Sequence, residues 1–200
     1  MKILIIQGSP RKNGNTAKIT NFCAERLQEN GCDVENLWLG DFNVGPCLGC
    51  MACQENPEEP GCVQKDDAEG IWKKIAEADI LILASPIYTW YCTAQMKNLL
   101  DRHYAVNKYY GSAAEKNGKY SLIKDLSVAL ITTHGYKPDY ASDLFETGIK
   151  RFCRHSGWDY LGLYSERDTG KGSNLDTPEI RERAKAFADS LVEEWKNNRI

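Results

Sequence analysis

The sequence has no long apolar run and no cluster of basic residues. Its N-terminal apolar stretch places only five residues between Lys2 and Gly8. This is too short for the apolar region of a signal peptide or for a membrane span, so we expect a cytoplasmic chain with no membrane association. The formal net charge is −3 and Lys and Arg are scattered, which argues against a dedicated nucleic-acid-binding protein.

Short apolar runs alternate with amphipathic stretches along the whole chain. Residues 2–7, 79–85 and 126–133 have no polar alternation, which is typical of strands buried on both faces of a parallel sheet. Residues 33–39 and 158–164 alternate more and suit sheet edges. Stretches of helical periodicity separate these five runs. The pattern predicts a single α/β domain over residues 1–200, with a five-stranded parallel sheet between two layers of helices.

Two common phosphate-binding motifs are also missing. The chain contains neither G-x-G-x-x-G nor G-x4-G-K-[ST]. Nevertheless "GSPRKNGNTAKIT" (8–20) follows the first buried strand and leads into the first helix. The unpaired amides and positive dipole at a helix start favour a phosphate there. Because a dinucleotide fingerprint is lacking, the sequence predicts the phosphate of a mononucleotide.

A second loop, "SPIYTWYC" (85–92), follows the third strand and is rich in aromatic residues. In a doubly wound sheet of order 2-1-3-4-5, strands 1 and 3 flank the switch point where ligands bind. We therefore expect this loop to lie beside residues 8–16. Flat aromatic and backbone surface next to a phosphate site suits a planar heteroaromatic ring. For Trp90 and Tyr91, packing in the core or at a subunit contact is an equally good interpretation.

The chain resembles a known family in three segments. These are "GSPRKNGNT" (8–16), the "GCVQKDD" that closes a cysteine-rich loop (61–67), and "ADILILASPIYTWYCTAQMKNLLDR" (78–102). Together they resemble the flavodoxin-like NAD(P)H-dependent FMN reductases, which include the iron–sulfur flavoproteins. The resemblance implies a flavodoxin-like three-layer sandwich, bound FMN and NAD(P)H as co-substrate. The acceptor would be a flavin, a quinone, an azo or nitro compound, or another small-molecule or protein electron acceptor.

The resemblance also implies which residues contact FMN. The phosphate would be held by Ser9, Arg11, Asn15 and Thr16. The isoalloxazine would be lined by Pro86, Ile87, Tyr88 and Thr89, next to Trp90, and covered by the loop 133–138 with His134 and Gly135. We expect no catalytic side chain, because the flavin itself carries the hydride chemistry. Asp101 and Arg102 lie at a helix end, where an ion pair or a dipole role is favoured over acid–base catalysis.

An alternative from another class is a non-enzymatic FMN electron carrier, with or without an iron–sulfur cluster. Carriers usually have an acidic surface and a T-x-T-G-x-T phosphate loop. The Arg-containing loop in this chain argues against that function.

Four of the eight cysteines lie in one loop, with the spacing C-x2-C-x2-C-x8-C at Cys47, Cys50, Cys53 and Cys62. Three close cysteines and a distant fourth are typical of [4Fe–4S] ligation and resemble the motif of the iron–sulfur flavoproteins. The last gap, with two prolines, is longer than in members that carry a cluster. Cluster-free thiols packed beside the flavin therefore remain an equal alternative, ahead of zinc or a redox disulfide.

Two connections are long for a compact domain: the cysteine-rich loop 40–65 and the segment 105–124. The second contains Tyr109, Tyr110 and Tyr120 and has little apolar sequence of its own. Exposed aromatic segments commonly mark interfaces, and the resemblance implies a pocket completed by a second subunit. We therefore expect a homodimer or a homotetramer.

Overall fold

The computed structural model describes residues 1–110, 120–137, 140–170 and 173–199. Within these residues, five strands alternate with five α-helices. The strands are β1 (Lys2–Gln7), β2 (Asp33–Trp38), β3 (Ile80–Pro86), β4 (Ser127–His134) and β5 (Asp159–Arg167). The helices are α1 (Asn15–Glu29), α2 (Ala68–Ala76), α3 (Ala94–Asp101), α4 (Asp143–Ser156) and α5 (Pro178–Asn197).

The strands form one parallel sheet in the order β2-β1-β3-β4-β5, so the predicted flavodoxin-like fold is confirmed. The three apolar runs without polar alternation form the central strands β1, β3 and β4, and the two alternating runs form the edge strands β2 and β5. In the register, Ile5 lies opposite Ile82 and Ile82 opposite Ala129. Side chains of the central strands alternate between two buried faces, which explains why these runs contain no polar alternation.

Each face of the sheet has its own core. Ile3 and Ile5 point to the face covered by α1 and α5, where they join Leu27 and Leu191. The opposite face, under α2, α3 and α4, is built on a longer set that includes Leu4, Leu81, Ile71, Met96 and Phe145. Phe145 is fully buried, and its replacement by Ala would cost about 3–5 kcal/mol. These two cores fix the sheet as the middle layer of three.

Hydrogen bonds join the loops that leave the carboxyl ends of the strands. Gly8 N donates to Ala84 O at 2.8 Å, and Ile87 N donates to Thr133 O at 2.8 Å. Asp168 N, just after β5, donates to His134 O at 2.7 Å. The chain therefore holds the loops after β1, β3, β4 and β5 together at one edge of the sheet.

Residues 111–119 of the segment 105–124 lie outside the described residues. In its described parts, Val106 and Ile123 are buried. The Tyr120 ring stacks on His155 of α4 with centroids 4.4 Å apart. The ends of this segment therefore contribute to the core, whereas Tyr110 is exposed. Among the described residues, no helix combines the length and the apolar character needed to cross a bilayer.

Candidate functional site

The loop after β1 packs closely against α3. A Cβ at Gly8 would lie 2.8 Å from Cβ of Met96, so only glycine fits there. Thr93, the N-cap of α3, donates from Oγ1 to Gly8 O at 2.5 Å. Trp38 donates from Nε1 to Ser9 O at 2.7 Å. The backbone that enters the first helix is thereby fixed from two sides.

The start of α1 is open to an anion. Gly14 is its N-cap, in extended conformation and without a side chain that could accept from the helix, and the first turn contains no acidic residue. The N–H groups of that turn have no intrahelical acceptor. Ser9 Oγ accepts from Arg11 N at 3.1 Å, which curls the loop over the helix start.

The loop after β3 makes a tight turn between Tyr88 and Tyr91. Each of these residues donates its N–H to the carbonyl of the other, at 2.8 and 3.1 Å. The two central residues, Thr89 (φ 51°) and Trp90 (φ 60°), both have left-handed backbone, as a type I′ turn requires. The Trp90 ring stacks on Tyr136, with centroids 4.6 Å apart and planes at 15°. The turn thus docks on the loop after β4.

A cavity of about 230 Å³ lies between these loops. Nine of the eleven predicted FMN-contact residues line it: Ser9, Arg11, Asn15, Thr16, Pro86, Ile87, Tyr88, His134 and Gly135. Thr89 and Trp90 are not among its lining residues, because the turn carries them away from it. Of the predicted covering loop 133–138, residue 138 lies outside the described residues.

Four further residues line the same cavity: Gly14 and Thr133 lie in the predicted site loops 8–16 and 133–138, whereas Asp168 and Gly170 were not predicted. Thr133 Oγ1 lies 2.7 Å from Thr16 Oγ1, so these hydroxyls link β4 to α1. Asp168 could have been predicted as a site residue, because it directly follows a strand at the sheet edge where the other site loops meet. The predicted strand ended at residue 164, whereas β5 extends to Arg167.

Asp168 brings a carboxylate to the cavity. Asn15 Nδ2 donates to its Oδ2 at 2.7 Å. Burial would raise the pKa of Asp168, but the hydrogen bonds from Asn15, Gly170 and Ser173 and the charge of Arg11 outweigh burial and hold the pKa below its usual range. The carboxylate therefore stays ionised and accepts hydrogen bonds at neutral pH.

Asp101 and Arg102, at the end of α3, both form ion pairs, but not with each other. Arg102 donates to both oxygens of Asp66, at 2.7 and 3.0 Å, and both side chains are largely buried. Asp101 instead pairs with Lys97 one turn earlier in the helix. Arg102 therefore joins α3 to the end of the cysteine-rich loop.

The four cysteines of the loop are spread out. Cys47 and Cys50 are exposed, whereas Cys53 and Cys62 are partly buried and line a small cavity of about 160 Å³ with Lys108. The Lys108 ammonium, 1% exposed, donates to Cys53 O at 2.5 Å, and burial lowers its pKa. Across the described residues, no three His, Cys, Asp or Glu side chains are close enough to hold a metal ion. In this conformation the loop does not fit a cubane cluster, and four-cysteine ligation remains a prediction.

Comparison with known proteins places the chain in a family. Residues 1–138 match the family model described as NADPH-dependent FMN reductase. The chain belongs to the NADPH-dependent FMN reductase family. The match covers the strands β1 to β4 and therefore the loops after β1, β3 and β4 that surround the cavity.

The most similar curated relatives of this FMN reductase family member include iron–sulfur flavoproteins. One from Archaeoglobus fulgidus is 38% identical over 120 residues, which are 60% of this chain and 51% of the relative. Another, from Methanocaldococcus jannaschii, is 41% identical over 102 residues, or 51% of each chain. The chain thus spans about half the length of the curated relatives that it matches.

Solved structures share the fold at low identity. An NAD(P)H:quinone oxidoreductase from Methanothermobacter marburgensis has a TM-score of 0.68 at 19% identity, covering 96% of both chains. An FMN-dependent NADH-azoreductase from Bacillus anthracis, solved with FMN, has a TM-score of 0.66 at 16% identity, covering 96% of this chain and 98% of the other. The likeness extends over nearly the whole chain, so the flavodoxin-like architecture includes β5 and α5.

Proposed function

We propose that the chain binds FMN non-covalently in the 230 Å³ cavity and is an oxidoreductase that takes hydride from NADH or NADPH. Its acceptor would be a flavin, a quinone, an azo or nitro compound, or another small-molecule or protein acceptor. The observation that carries this proposal is that one cavity is lined by the uncapped start of α1, by Arg11 and by the backbone of residues 86–88. When bound, FMN accepts a hydride and passes electrons on singly or in pairs.

The phosphate end of the cavity is formed by the start of α1. The free N–H groups of its first turn and the positive end of the helix dipole favour a dianion. The hydroxyls of Ser9 and Thr16 supply neutral hydrogen bonds, and Arg11 supplies a charge-assisted one. Gly14 makes no side-chain capping bond at the helix start, so the N-cap residue itself does not compete with the phosphate for these donors.

Asp168 suits the hydroxylated chain that joins the phosphate to the ring. An ionised carboxylate only accepts hydrogen bonds, and hydroxyl groups are its natural donors. Its bond to Asn15 holds the Asn15 amide in place at the helix start. We therefore assign Asp168 to binding a ribityl hydroxyl and to positioning Asn15.

The ring end is formed by backbone and by Tyr88. Residues 86–88 run along the cavity, where their peptide groups can pair with the polar edge of the isoalloxazine. Tyr88 is 50% exposed, so this side of the cavity is open to solvent. An open side leaves one ring face accessible to a nicotinamide and then to an acceptor, as hydride transfer in two successive steps requires.

Steady-state kinetics separates this enzyme from an electron carrier. We expect the FMN-loaded chain to oxidise NADH or NADPH with an artificial quinone acceptor much faster than free FMN does. Turnover equal to that of free FMN would support the carrier function instead.

The phosphate assignment is tested by Arg11→Gln, with Lys12→Gln as the matched control. Lys12 is the neighbouring cation, but it pairs with the exposed Asp41 and does not line the cavity. A lost charge-assisted hydrogen bond is worth ~1.5–3 kcal/mol, so Arg11→Gln should weaken FMN binding by roughly 10- to 100-fold. Fluorescence titration should show no such loss for riboflavin, which lacks the phosphate.

The control variant should bind both flavins like the wild type. Equal losses of FMN and riboflavin affinity in Arg11→Gln would contradict the assignment of this residue to the phosphate.

A further inference from the structure

His134 is anchored in the loop after β4 by one of its two ring nitrogens. Its Nδ1 lies 3.0 Å from Tyr136 O. Because a carbonyl oxygen only accepts hydrogen bonds, Nδ1 carries the hydrogen of this contact. In neutral His134 the other nitrogen, Nε2, therefore carries a lone pair, and it has no hydrogen-bond partner among the described residues. Nε2 does not belong to the buried side-chain atoms that lack a partner, so solvent or a ligand can reach it.

The fold brings His134 to the end of the FMN cavity that is proposed to hold the ring. His134 lines that cavity together with Pro86, Ile87 and Tyr88. The preceding residue, Thr133, accepts at its carbonyl oxygen from Ile87 N at 2.8 Å. His134 therefore lies beside the 86–88 backbone, to which the isoalloxazine has been assigned.

The charges of the cavity leave room for one more cation. In its described lining, Arg11 and His134 are the basic side chains, Asp168 is the carboxylate and Tyr88 adds a phenol. Arg11 already interacts with Asp168, because its positive charge helps to lower the pKa of that carboxyl group. Arg167 is opposite His134 in the strand register, but its side chain is exposed. When a neutral ring accepts a hydride it gains one negative charge, and His134 is the lining residue that can change its own charge near neutral pH.

We propose that His134 takes up a proton at Nε2 when the bound flavin is reduced, and that the resulting imidazolium offsets the negative charge of the ring. This inference rests on the proposed function. The hydride and its electron pair come from NAD(P)H, which leaves as NAD(P)⁺, and the proton on Nε2 comes from solvent. A nearby opposite charge favours the charged form of a side chain, so reduction should raise the proton affinity of His134 roughly tenfold. Linkage requires protonation to favour the reduced flavin by the same factor.

Nuclear magnetic resonance tests the proposal at His134 itself. The chain contains three histidines, and the set of imidazole ¹⁵N signals that His134→Asn removes belongs to His134. In flavin-free protein, neutral His134 should carry its hydrogen on Nδ1. In FMN-loaded protein, anaerobic reduction should raise the proton affinity of His134 about tenfold. His103 and His155 do not line the cavity, so their titrations should be the same in both redox states.

The midpoint potential of bound FMN provides the second measurement. In His134→Asn, the side-chain amide can still donate to Tyr136 O but cannot titrate. At pH values where wild-type His134 is protonated, the variant should have a potential lower by about 30 mV, which is tenfold for two electrons. The gap should close as the pH rises and His134 loses its proton. The matched control is Lys137→Gln, which removes an exposed cation of the same loop outside the cavity lining and should keep the wild-type pH dependence.

Three results would overturn the proposal while leaving the FMN site intact. These are a neutral tautomer with its hydrogen on Nε2, equal proton affinity of His134 in both redox states, and a potential gap that is the same at every pH. Should His134→Asn fail to unfold cooperatively, the titration of the wild type decides alone. A wild-type chain that binds no FMN would overturn the proposed function, and this inference with it.

Discussion

The ion pair between Asp66 and Arg102 joins the end of the cysteine-rich loop to the end of α3. Asp66 ends the cysteine-rich loop, and its carboxylate also accepts from the N–H groups of Gly45 and Ala68. Arg102 follows α3, the helix that packs against the loop after β1. Burial would raise the pKa of Asp66, but Arg102 and the two backbone donors hold it below its usual value.

Asp66→Asn should destabilise the chain by about 3 kcal/mol at pH 7, because it leaves the buried Arg102 without a counter-charge. Since the folded-state pKa lies below the unfolded one, the wild-type stabilisation is complete above the unfolded value. It is lost as the pH falls through the folded value. Urea unfolding should therefore show the two free energies converging below about pH 4.

The matched control for this prediction is Asp41→Asn, which breaks the exposed pair with Lys12. Exposed pairs contribute only ~0–1 kcal/mol, so this variant should unfold almost like the wild type. A gap between wild type and Asp66→Asn that stays constant from pH 7 to acid would contradict the assigned charge interaction.

At the residue level, contacts within one loop could be predicted from the sequence, whereas contacts between distant segments could not. Ser9, Arg11, Asn15 and Thr16 could be predicted because they lie on one contiguous loop after a recognisable strand. The partner of Arg102 could not, since Asp66 lies far away in sequence and only the tertiary fold brings the two together.

At the level of elements, the turn 88–91 contains two residues that rarely adopt left-handed backbone. Thr89 is β-branched and Trp90 is bulky, yet both have positive φ. Such conformations cost ~1–3 kcal/mol each and persist where surrounding contacts hold them. In this turn the contacts are the Tyr88–Tyr91 hydrogen bonds and the stacking of Trp90 on Tyr136.

Thr89→Asn should stabilise the chain by about 1 kcal/mol, because Asn tolerates this backbone conformation far better. In a chain of this size that corresponds to a rise in Tm of ~2–4 °C by calorimetry. Thr147→Asn is the control: Thr147 is exposed in α4, where Thr and Asn have similar helix propensity, and its Tm should not change. A Tm for Thr89→Asn at or below the wild-type value would show that the turn stores no relievable strain.

For the cysteine-rich loop, we expect aerobically purified chain to contain substoichiometric iron. Two of its four thiols are exposed, and the described residues offer no preformed metal site. Iron and acid-labile sulfide assays on aerobic and anaerobically reconstituted samples measure this directly. About four iron atoms per chain, lost in Cys50→Ala but retained in Cys32→Ala, would establish a cubane and show that the loop rearranges around it.

For the whole molecule, we expect a homodimer or homotetramer. Tyr110 in the segment 105–124 is 65% exposed, and Leu48 in the cysteine-rich loop is 67% exposed. If the tyrosine segment forms the interface, Tyr110→Lys should shift sedimentation velocity toward the monomer at micromolar concentration, and Leu48→Lys should not. A wild-type monomer that retains full FMN content would contradict this prediction.

For the whole molecule, the central positions of β1, β3 and β4 could be predicted because their apolar runs lack polar alternation, which is typical of strands buried on both faces. The strand order was implied by the resemblance to the flavodoxin-like FMN reductases. The outer part of β5 could not be predicted, since "SER" (165–167) is polar and lies at an edge where the strand is half solvated. That omission also hid Asp168. The left-handed turn was equally invisible, because no glycine marks it.

The contact between β1 and β3 has a consequence for how the chain folds. Ile3 pairs with Ile80, across a stretch that contains α1, β2, the cysteine-rich loop and α2. Closing so long a loop is slow, and such non-local pairing limits the folding rate. The cavity proposed for FMN lies between loops that this pairing brings together, so we expect the flavin to bind only after the sheet has formed. Because a ligand that binds only the native state stabilises it, we expect bound FMN to slow unfolding and so to lengthen the lifetime of the native protein.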